Sequence, residues 1–231
     1  MTPSPKPQCN NILTELLSDA TWRIFRIMAE FVDGFQFLSE QGPSITIFGS
    51  ARTPEGHRSY EEARRLGALL AKEGVTIVTG GGPGIMEAAN RGAFDENGHS
   101  IGLNIELPFE QRANKYITKG IGFHYFFSRK VMLSISSLAY VYFPGGFGTL
   151  DELFEIVTLI QTKKMSPLPV VLVGRDFWEP LKDWIVENMQ KKHKYISQGD
   201  ENLLHIVDSA DEAYRYVMDK ISMVCELPSK K

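Results

Sequence analysis

The feature that most constrains the fold is a regular alternation of short apolar runs with amphipathic helical patterns, which begins near residue 44. The runs are rich in β-branched and aromatic residues and read SITIF, VTIVT, SIGLNI, FHYFF, LAYVYF, PVVLV and LLHIV. Almost wholly apolar strands separated by helices are typical of a parallel sheet that helices cover on both faces. We therefore predict an α/β fold, a single domain built on one doubly wound parallel sheet of about seven strands.

The chain divides into four segments in this interpretation. Residues 1–12 are polar and proline-rich and are predicted to be a disordered lead-in, residues 13–41 a helical extension, 42–222 the domain itself, and 223–231 a tail. In the extension, large apolar side chains recur at spacings of three and four, which predicts an amphipathic helix. They are Trp22, Phe25, Met28, Phe31 or Val32, and Phe35. This stripe packs either on the chain's own core or in a subunit interface.

Composition excludes several classes of function. The net charge of −3 gives no reason to expect a nucleic-acid or anionic-membrane partner. No apolar run approaches the roughly 18 residues of a membrane span, and the N-terminus lacks a secretory apolar core. Cys9 and Cys225 lie near opposite ends, and the five histidines are scattered, so we expect no disulfide framework and no metal site. These properties predict a soluble cytoplasmic protein.

A first glycine-rich turn follows the second predicted strand, in TGGGPGIMEAAN at residues 79–90. The dinucleotide pattern G-x-G-x-x-G fails, because the sixth position from Gly80 or Gly82 is Ile85 or Glu87. The P-loop pattern fails too, since no Gly-Lys-Ser/Thr follows. What remains is a tight strand-to-helix turn whose amides suit an anion. The glycines either only make the turn or also contact a phosphate or ribose.

A second glycine-rich turn, PGGFGTLDE, begins at Pro144. Thr149 and Glu152 match the capping box T-x-x-E, which would start a helix at this point. A capping box requires no glycines, whereas free glycine amides suit a phosphate. Phosphate and carboxylate repel each other unless they contact different parts of one ligand. A nucleoside monophosphate meets this condition, because a carboxylate near C1′ stabilises the cationic sugar formed when the N-glycosidic bond breaks.

Two cations, Arg129 and Lys130, follow Ser128 in FSRKVML, where Ser128 is predicted to cap a helix. Basic residues in a first helical turn oppose the helix dipole. They are either an exposed or ion-paired couple, or Arg129 grips a phosphate or interacts with Glu152.

Together these residues resemble the LOG ("Lonely Guy") family of cytokinin riboside 5′-monophosphate phosphoribohydrolases, long labelled as lysine decarboxylases. The resemblance covers roughly residues 42–220 and is carried by GGG with Gly84 and Met86, by Arg129-Lys130, and by P-G-G-x-G-T-x-x-E from Pro144 to Glu152. The strings GPSITIFGSARTP and GLNIELPFEQ are similar to the longer bacterial branch.

The resemblance implies a Rossmann-like nucleotide-binding domain, a site near a dimer interface, and Arg129 and Glu152 as the catalytic residues. Glu106 and Glu155 are expected to contact the ribose or to support the site. The residues expected to bind the phosphate or nucleotide are Ser50, Gly81, Gly82, Gly84, Met86, Lys130, Gly145, Gly146, Gly148 and Thr149.

We therefore predict a nucleoside 5′-monophosphate N-ribosidase that needs no cofactor and acts on AMP or an N6-modified AMP. It would be at least a homodimer. One rival is a non-catalytic nucleotide or cofactor carrier on the same fold, as in similar molybdenum-cofactor carrier proteins; a carrier needs no acid at C1′. The other is lysine decarboxylation, which normally requires pyridoxal phosphate on a lysine, and no phosphate-plus-lysine arrangement suggests it.

Overall fold

A computed structural model describes residues 20–106 and 113–223. Its sheet has seven strands, all parallel, in the order β4-β3-β2-β1-β5-β6-β7. The strands are β1 Ser44–Phe48, β2 Thr76–Thr79, β3 Ser100–Ile105, β4 Lys119–Phe123, β5 Tyr140–Tyr142, β6 Val170–Val173 and β7 His205–Val207. The predicted doubly wound α/β fold is confirmed. The predicted lead-in at 1–12, residues 13–19 of the predicted extension and all but the first residue of the tail lie outside the described residues.

Helices connect the strands in the alternation that the sequence predicts. They are α1 Ala20–Ser39, α2 Arg58–Lys72, α3 Ile85–Asp95, α4 Phe126–Ile135, α5 Phe147–Gln161, α6 Arg175–Trp184 and α7 Ala210–Ser222. A π-helical segment, Ile185–Lys192, continues α6, and a short 3-10 helix, Asp200–Leu203, precedes β7. None of the described helices combines the length and apolar character needed to cross a membrane.

The hydrophobic core lies on both faces of the sheet, as wholly apolar strands require. Alternate residues of β1 point to opposite faces: Ile45 and Ile47 pack with α2, α3 and α7, while Phe48 packs with the layer of α4, α5 and α6. The inner strands β1, β2, β5 and β6 are buried throughout, whereas the edge strand β4 is largely exposed. The inner strands are therefore accessible to a ligand only at their ends and through the loops.

The run FHYFF is not a strand, contrary to prediction. The strand next to β3 is Lys119–Phe123, and Phe123 ends it opposite Ile105. Phe126 already begins α4. Ser128 is therefore the third residue of that helix and not its cap, and it is fully buried. An aromatic run carries no periodicity that separates a strand end from a helix start.

The strand order reverses between β1 and β5, which is where doubly wound folds bind ligands. Backbone hydrogen bonds fasten the loops at this point: the amide of Ser50 donates to Pro144 O over 3.1 Å, and the amide of Ile85 donates to Ser50 O over 3.0 Å. The ends of β1, β2 and β5 thus form one rigid edge.

Helix α1 confirms the amphipathic helix predicted over Trp22 to Phe35, but most of its apolar stripe does not cover the chain's own core. Trp22 is 77% exposed and Val32 62%, and Phe25, Met28 and Phe35 are exposed as well. Only Phe31 of the stripe packs against the core. The interpretation in which the stripe packs on the core is therefore wrong for these five side chains.

Candidate active site

A cavity of about 600 Å³ opens at the carboxyl ends of β1, β2 and β5. It is lined by Phe48, Gly49, Ser50, Ala51, Arg52, Gly80, Met86, Arg129, Gly146, Phe147, Gly148, Thr149 and Glu152. A smaller lobe of about 210 Å³ lies on the other side of Arg129. Its wall is formed by Gly80, Gly82, Met86, Asn104, Ile105, Phe126 and Arg129. The predicted residues Ser50, Gly82, Met86, Arg129, Gly146, Gly148, Thr149 and Glu152 therefore meet in one site.

Arg129 is a buried cation in the wall between the two lobes. It is the fourth residue of α4, its side chain is 11% exposed, and its Nε donates to Leu103 O over 2.7 Å. A Cβ on Gly80 would lie 2.2 Å from Nη2 of Arg129, so only glycine at position 80 leaves room for this guanidinium. Burial lowers the pKa of Arg129, and the nearby Glu152 carboxylate opposes that shift. The sheet edge thus presents a fixed cation to a ligand.

Glu152 faces Arg129 across the cavity wall, with 3.9 Å between its Oε1 and Nη1 of the arginine. Its side chain is 16% exposed. The hydroxyl of the buried Tyr142 donates to the backbone carbonyl of Glu152 over 3.2 Å, which fixes this turn of α5. Burial raises the pKa of Glu152 to about 7, and Arg129 opposes the rise. A carboxyl that exchanges its proton near neutral pH is suited to general acid–base work.

The predicted capping box is wrong, because α5 begins earlier than the pattern indicates. Its first residue is Phe147, its N-cap is Gly146, and no side chain caps it. Thr149 is the third helical residue and Glu152 the sixth, so neither occupies a capping position. Thr149 is buried, and its Oγ1 would lie 2.1 Å from a Cβ on Gly145.

The open start of α5 has the features of a helix terminus that can receive an anion. The first amides of a helix have no acceptor within it, and here no side chain supplies one. Gly146, Phe147 and Gly148 are exposed and line the cavity. These amides, together with the positive end of the helix dipole, can hold a phosphate.

The first glycine turn is shaped from within the chain. The amide of Gly81 donates to Thr79 Oγ1 over 2.9 Å, and the amide of Asn114 donates to Gly81 O over 2.9 Å. Gly84 has a φ of +70°, and a Cβ there would lie 2.3 Å from Ser50 O. Gly81 and Gly84 are therefore turn residues whose backbone groups are already engaged or packed. Neither lines the cavity.

Three predicted charged residues also lie away from the cavity. The ammonium of Lys130 forms ion pairs with Asp151 at 2.8 Å and Glu155 at 3.1 Å, which links α4 to α5 away from the cavity lining. Glu106 is 66% exposed, with its carboxylate 4.0 Å from the ring of His124. The structure therefore does not bring Lys130, Glu155 or Glu106 to the wall that holds Arg129.

Sequence reasoning missed three polar residues of the site. Arg52 lines the large lobe, and Asn104 lines the small one. Arg52 closely follows the first predicted strand, and Asn104 lies at the carboxyl end of the third, so position at a strand end was the available signal. Asn114 donates from its side-chain amide to Gly82 O over 3.0 Å and to Asn90 Oδ1 over 2.9 Å. It lies in an irregular stretch, where no pattern indicates such a contact.

The chain is similar to several known proteins. A family model described as "Possible lysine decarboxylase" matches residues 86–217, more than half of the chain. A cytokinin riboside 5′-monophosphate phosphoribohydrolase of Mycobacterium tuberculosis is 30% identical over 172 residues, which are 71% of this chain and 88% of that protein. One of the same name from Rhodococcoides fascians is 26% identical over 145 residues, 62% of this chain and 73% of the relative.

Among solved structures, the molybdenum cofactor carrier protein of Chlamydomonas reinhardtii superposes with a TM-score of 0.60 at 23% identity. The match covers 79% of this chain and 99% of the carrier. At this identity the likeness concerns the fold alone.

Proposed function

The chain belongs to the LOG family, whose sequence model is described as "Possible lysine decarboxylase", and from this premise we propose that it hydrolyses the N-glycosidic bond of nucleoside 5′-monophosphates. The products are the free base and ribose 5-phosphate. AMP and N6-modified AMP are the substrates that we expect, in keeping with the names of its relatives.

One observation carries this proposal: a buried acid and a buried arginine face each other on the wall that also holds an uncapped helix start. Glu152 and Arg129 are 3.9 Å apart, and both line the cavity with Gly146 and Gly148. The amides suit a phosphate, and the acid suits a centre that becomes positive. A nucleoside monophosphate carries both features within a few bonds, so one ligand can use the whole wall.

The reaction needs a balanced exchange at C1′. The bond between C1′ and the base nitrogen breaks, a water oxygen bonds to C1′, and a proton from that water ends on the departing base. Glu152 in its ionised form stabilises the oxocarbenium-like sugar and orients or deprotonates the water. Arg129 holds the phosphate or sets the ionisation of Glu152, since its charge favours the carboxylate.

The rival functions use these residues less well. A carrier has no use for a buried carboxyl whose pKa is about 7 beside the ligand. Lysine decarboxylation with pyridoxal phosphate needs a lysine in the site. Among the described residues that line the two lobes, none is a lysine.

Adjacent cations offer a matched test. Purified wild-type protein, Arg129→Ala and Lys130→Ala are incubated with AMP, and free adenine and ribose 5-phosphate are measured by chromatography. We expect Arg129→Ala to lose on the order of 100-fold or more in kcat/KM. Lys130→Ala should lose far less, because its ammonium pairs with Asp151 and Glu155 outside the cavity and adds only a weaker charge effect on Glu152.

Two outcomes would contradict the proposal. AMP that is bound but recovered intact from the wild-type protein would indicate a carrier. Equal losses of kcat/KM in Arg129→Ala and Lys130→Ala would show that Arg129 has no special role in the reaction.

A further inference from the structure

We propose that Glu30, on the N-terminal helix α1, is a positioning residue for this site: its carboxylate caps the start of α4 and so holds Arg129 in place against Glu152. The expected effect on catalysis rests on the proposed function. The capping contact itself rests on the hydrogen bonds of Glu30.

Glu30 makes three contacts at the start of α4. Its Oε1 accepts from the amide of His124 over 2.7 Å, and its Oε2 accepts from the amide of Tyr125 over 3.4 Å. Oε2 also accepts from the hydroxyl of Ser128. Tyr125 is the N-cap residue of α4, and its own side chain makes no capping hydrogen bond. A residue nearly a hundred positions away therefore supplies the cap that the helix lacks.

The arrangement has the chemistry of a capping box made from two segments. In a capping box, a glutamate at the third helical position reaches back to the amide of the N-cap residue. Here the third helical residue is Ser128, and Glu30 supplies the carboxylate instead. A negative charge at a helix N-terminus is also favoured by the helix dipole. The contact therefore contributes to order in the first turn of α4.

Helix α1 is held against α4 closely enough to fix this contact. Gly34 lies one turn after Glu30 and is buried. A Cβ on Gly34 would lie 2.6 Å from Sδ of Met132, so the two helices touch at a point where only glycine fits. Glu30 and Gly34 share one face of α1, because residues four apart are neighbours on a helix. The extension is therefore docked on the helix that carries Arg129.

The residue that Glu30 contacts, Ser128, directly precedes Arg129, which lines the cavity. Arg129 follows Ser128, and its amide donates to Tyr125 O over 3.3 Å. Its guanidinium then extends to Leu103 O and to Glu152. Loss of the cap frays the turn that carries Arg129, while the rest of α4 stays packed through Met132. A small displacement is sufficient, because misplacement by about 1 Å can reduce a rate on the order of 100-fold.

The ionisation of Glu152 reports the position of Arg129. Besides burial, the charges that act on the Glu152 carboxyl are Arg129 and Lys130, which favour its ionised form, and Asp151 and Glu155, which oppose it. Two further groups face the same region: Arg52 across the large lobe and the buried hydroxyl of Tyr142 behind it. Among the residues that the structure describes, the hydrogen bonds of the Glu30 carboxylate all go to the start of α4. Its removal therefore acts on Glu152 through Arg129, and a looser Arg129 raises the pKa of Glu152.

The test compares Glu30→Ala and Glu30→Gln with Asp33→Asn, a matched loss of an exposed carboxylate three residues along the same helix. The first readout is the titration of the Glu152 carboxyl by carbon-13 NMR, assigned with Glu152→Gln. We expect Glu30→Ala to raise that pKa by on the order of half a unit or more. Glu30→Gln, which keeps an acceptor oxygen, should give a smaller rise, and Asp33→Asn none.

The second readout is the pH dependence of kcat/KM for AMP, whose acidic limb should move upward by the same amount. An unchanged titration of Glu152 in Glu30→Ala would overturn the inference, even if the melting temperature falls, because that pattern describes a purely structural cap. If wild-type protein releases no adenine, the proposed function fails, whereas the NMR titration still decides the role of Glu30. Should Glu30→Ala not fold, Glu30→Gln carries the same comparison.

Discussion

Replacing Glu152 by glutamine should stabilise the protein at pH 8 while removing most of its activity. Burial raises the pKa of this carboxyl from 4.5 to about 7. A group whose folded pKa is raised contributes stability at low pH that is lost as the pH rises from the unfolded value through the folded one. The difference of about 2.5 units, 7 minus 4.5, corresponds to about 3 kcal/mol at about 1.4 kcal/mol per unit.

Glutamine is neutral at every pH, so the variant avoids this loss. We expect the gain in free energy of unfolding over wild type to be larger at pH 8 than at pH 5 by about 2 to 3 kcal/mol. Urea unfolding of both proteins at the two pH values measures it, and effects of the amide that do not depend on pH cancel in the comparison. Capping does not complicate the result, because Glu152 is the sixth residue of α5.

Asp151→Asn is the matched control, since this adjacent carboxyl is 61% exposed and should show no comparable gain at pH 8. Release of adenine from AMP by Glu152→Gln should fall on the order of 100-fold or more, because the amide can neither take a proton nor balance a cation. An equal difference in stability at pH 5 and pH 8 would refute the reasoning about ionisation. Activity near that of wild type would refute the catalytic role.

Four further predictions follow from the same site. In wild-type protein, kcat/KM for AMP should rise with pH as Glu152 ionises near pH 7, beside the second ionisation of the AMP phosphate at about pH 6; a profile that is flat from pH 5 to 8 would contradict this. AMP should be a far better substrate than adenosine, because the start of α5 offers its amides to a phosphate; equal kcat/KM values would remove the phosphate from the mechanism. Gly80→Ala should keep the fold but lose at least on the order of tenfold in activity, because the new methyl group displaces the end of the Arg129 side chain. Gly42→Ala, where a methyl group meets nothing, is its control, and equal activities by chromatography would count against the close approach. Light scattering should show at least a dimer, and Phe25→Glu, in the exposed stripe of α1, should weaken it; a monodisperse wild-type monomer with full activity would contradict the assembly.

Local patterns in the sequence determined the fold class and most of its elements. Strands such as Val170–Val173 are apolar on both faces because helices pack on both sides of them, and a run of consecutive apolar residues therefore predicts such a strand. The glycine-rich turns could also be predicted, because they directly follow these strands in the sequence. Arg129 and Glu152 were identified by resemblance to a family, and the structure brings both to one wall.

Only the tertiary structure decided what each of these side chains faces. Arg129 and Lys130 are neighbours in the chain, yet they face different acids. Arg129 faces Glu152 in the cavity wall, whereas Lys130 forms an ion pair with Asp151 away from the cavity. The early start of α5 places Glu152 in its second turn, because a stretch of glycines carries no side-chain signal for where a helix begins.

The pKa of Glu152 depends on burial by residues distant in sequence, and the cap of α4 comes from Glu30, on a different helix. Sequence periodicity predicts on which face of a helix or strand a residue lies. It does not predict which charge, amide or cavity the fold places against that face, and the chemistry of this site depends on those long-range contacts.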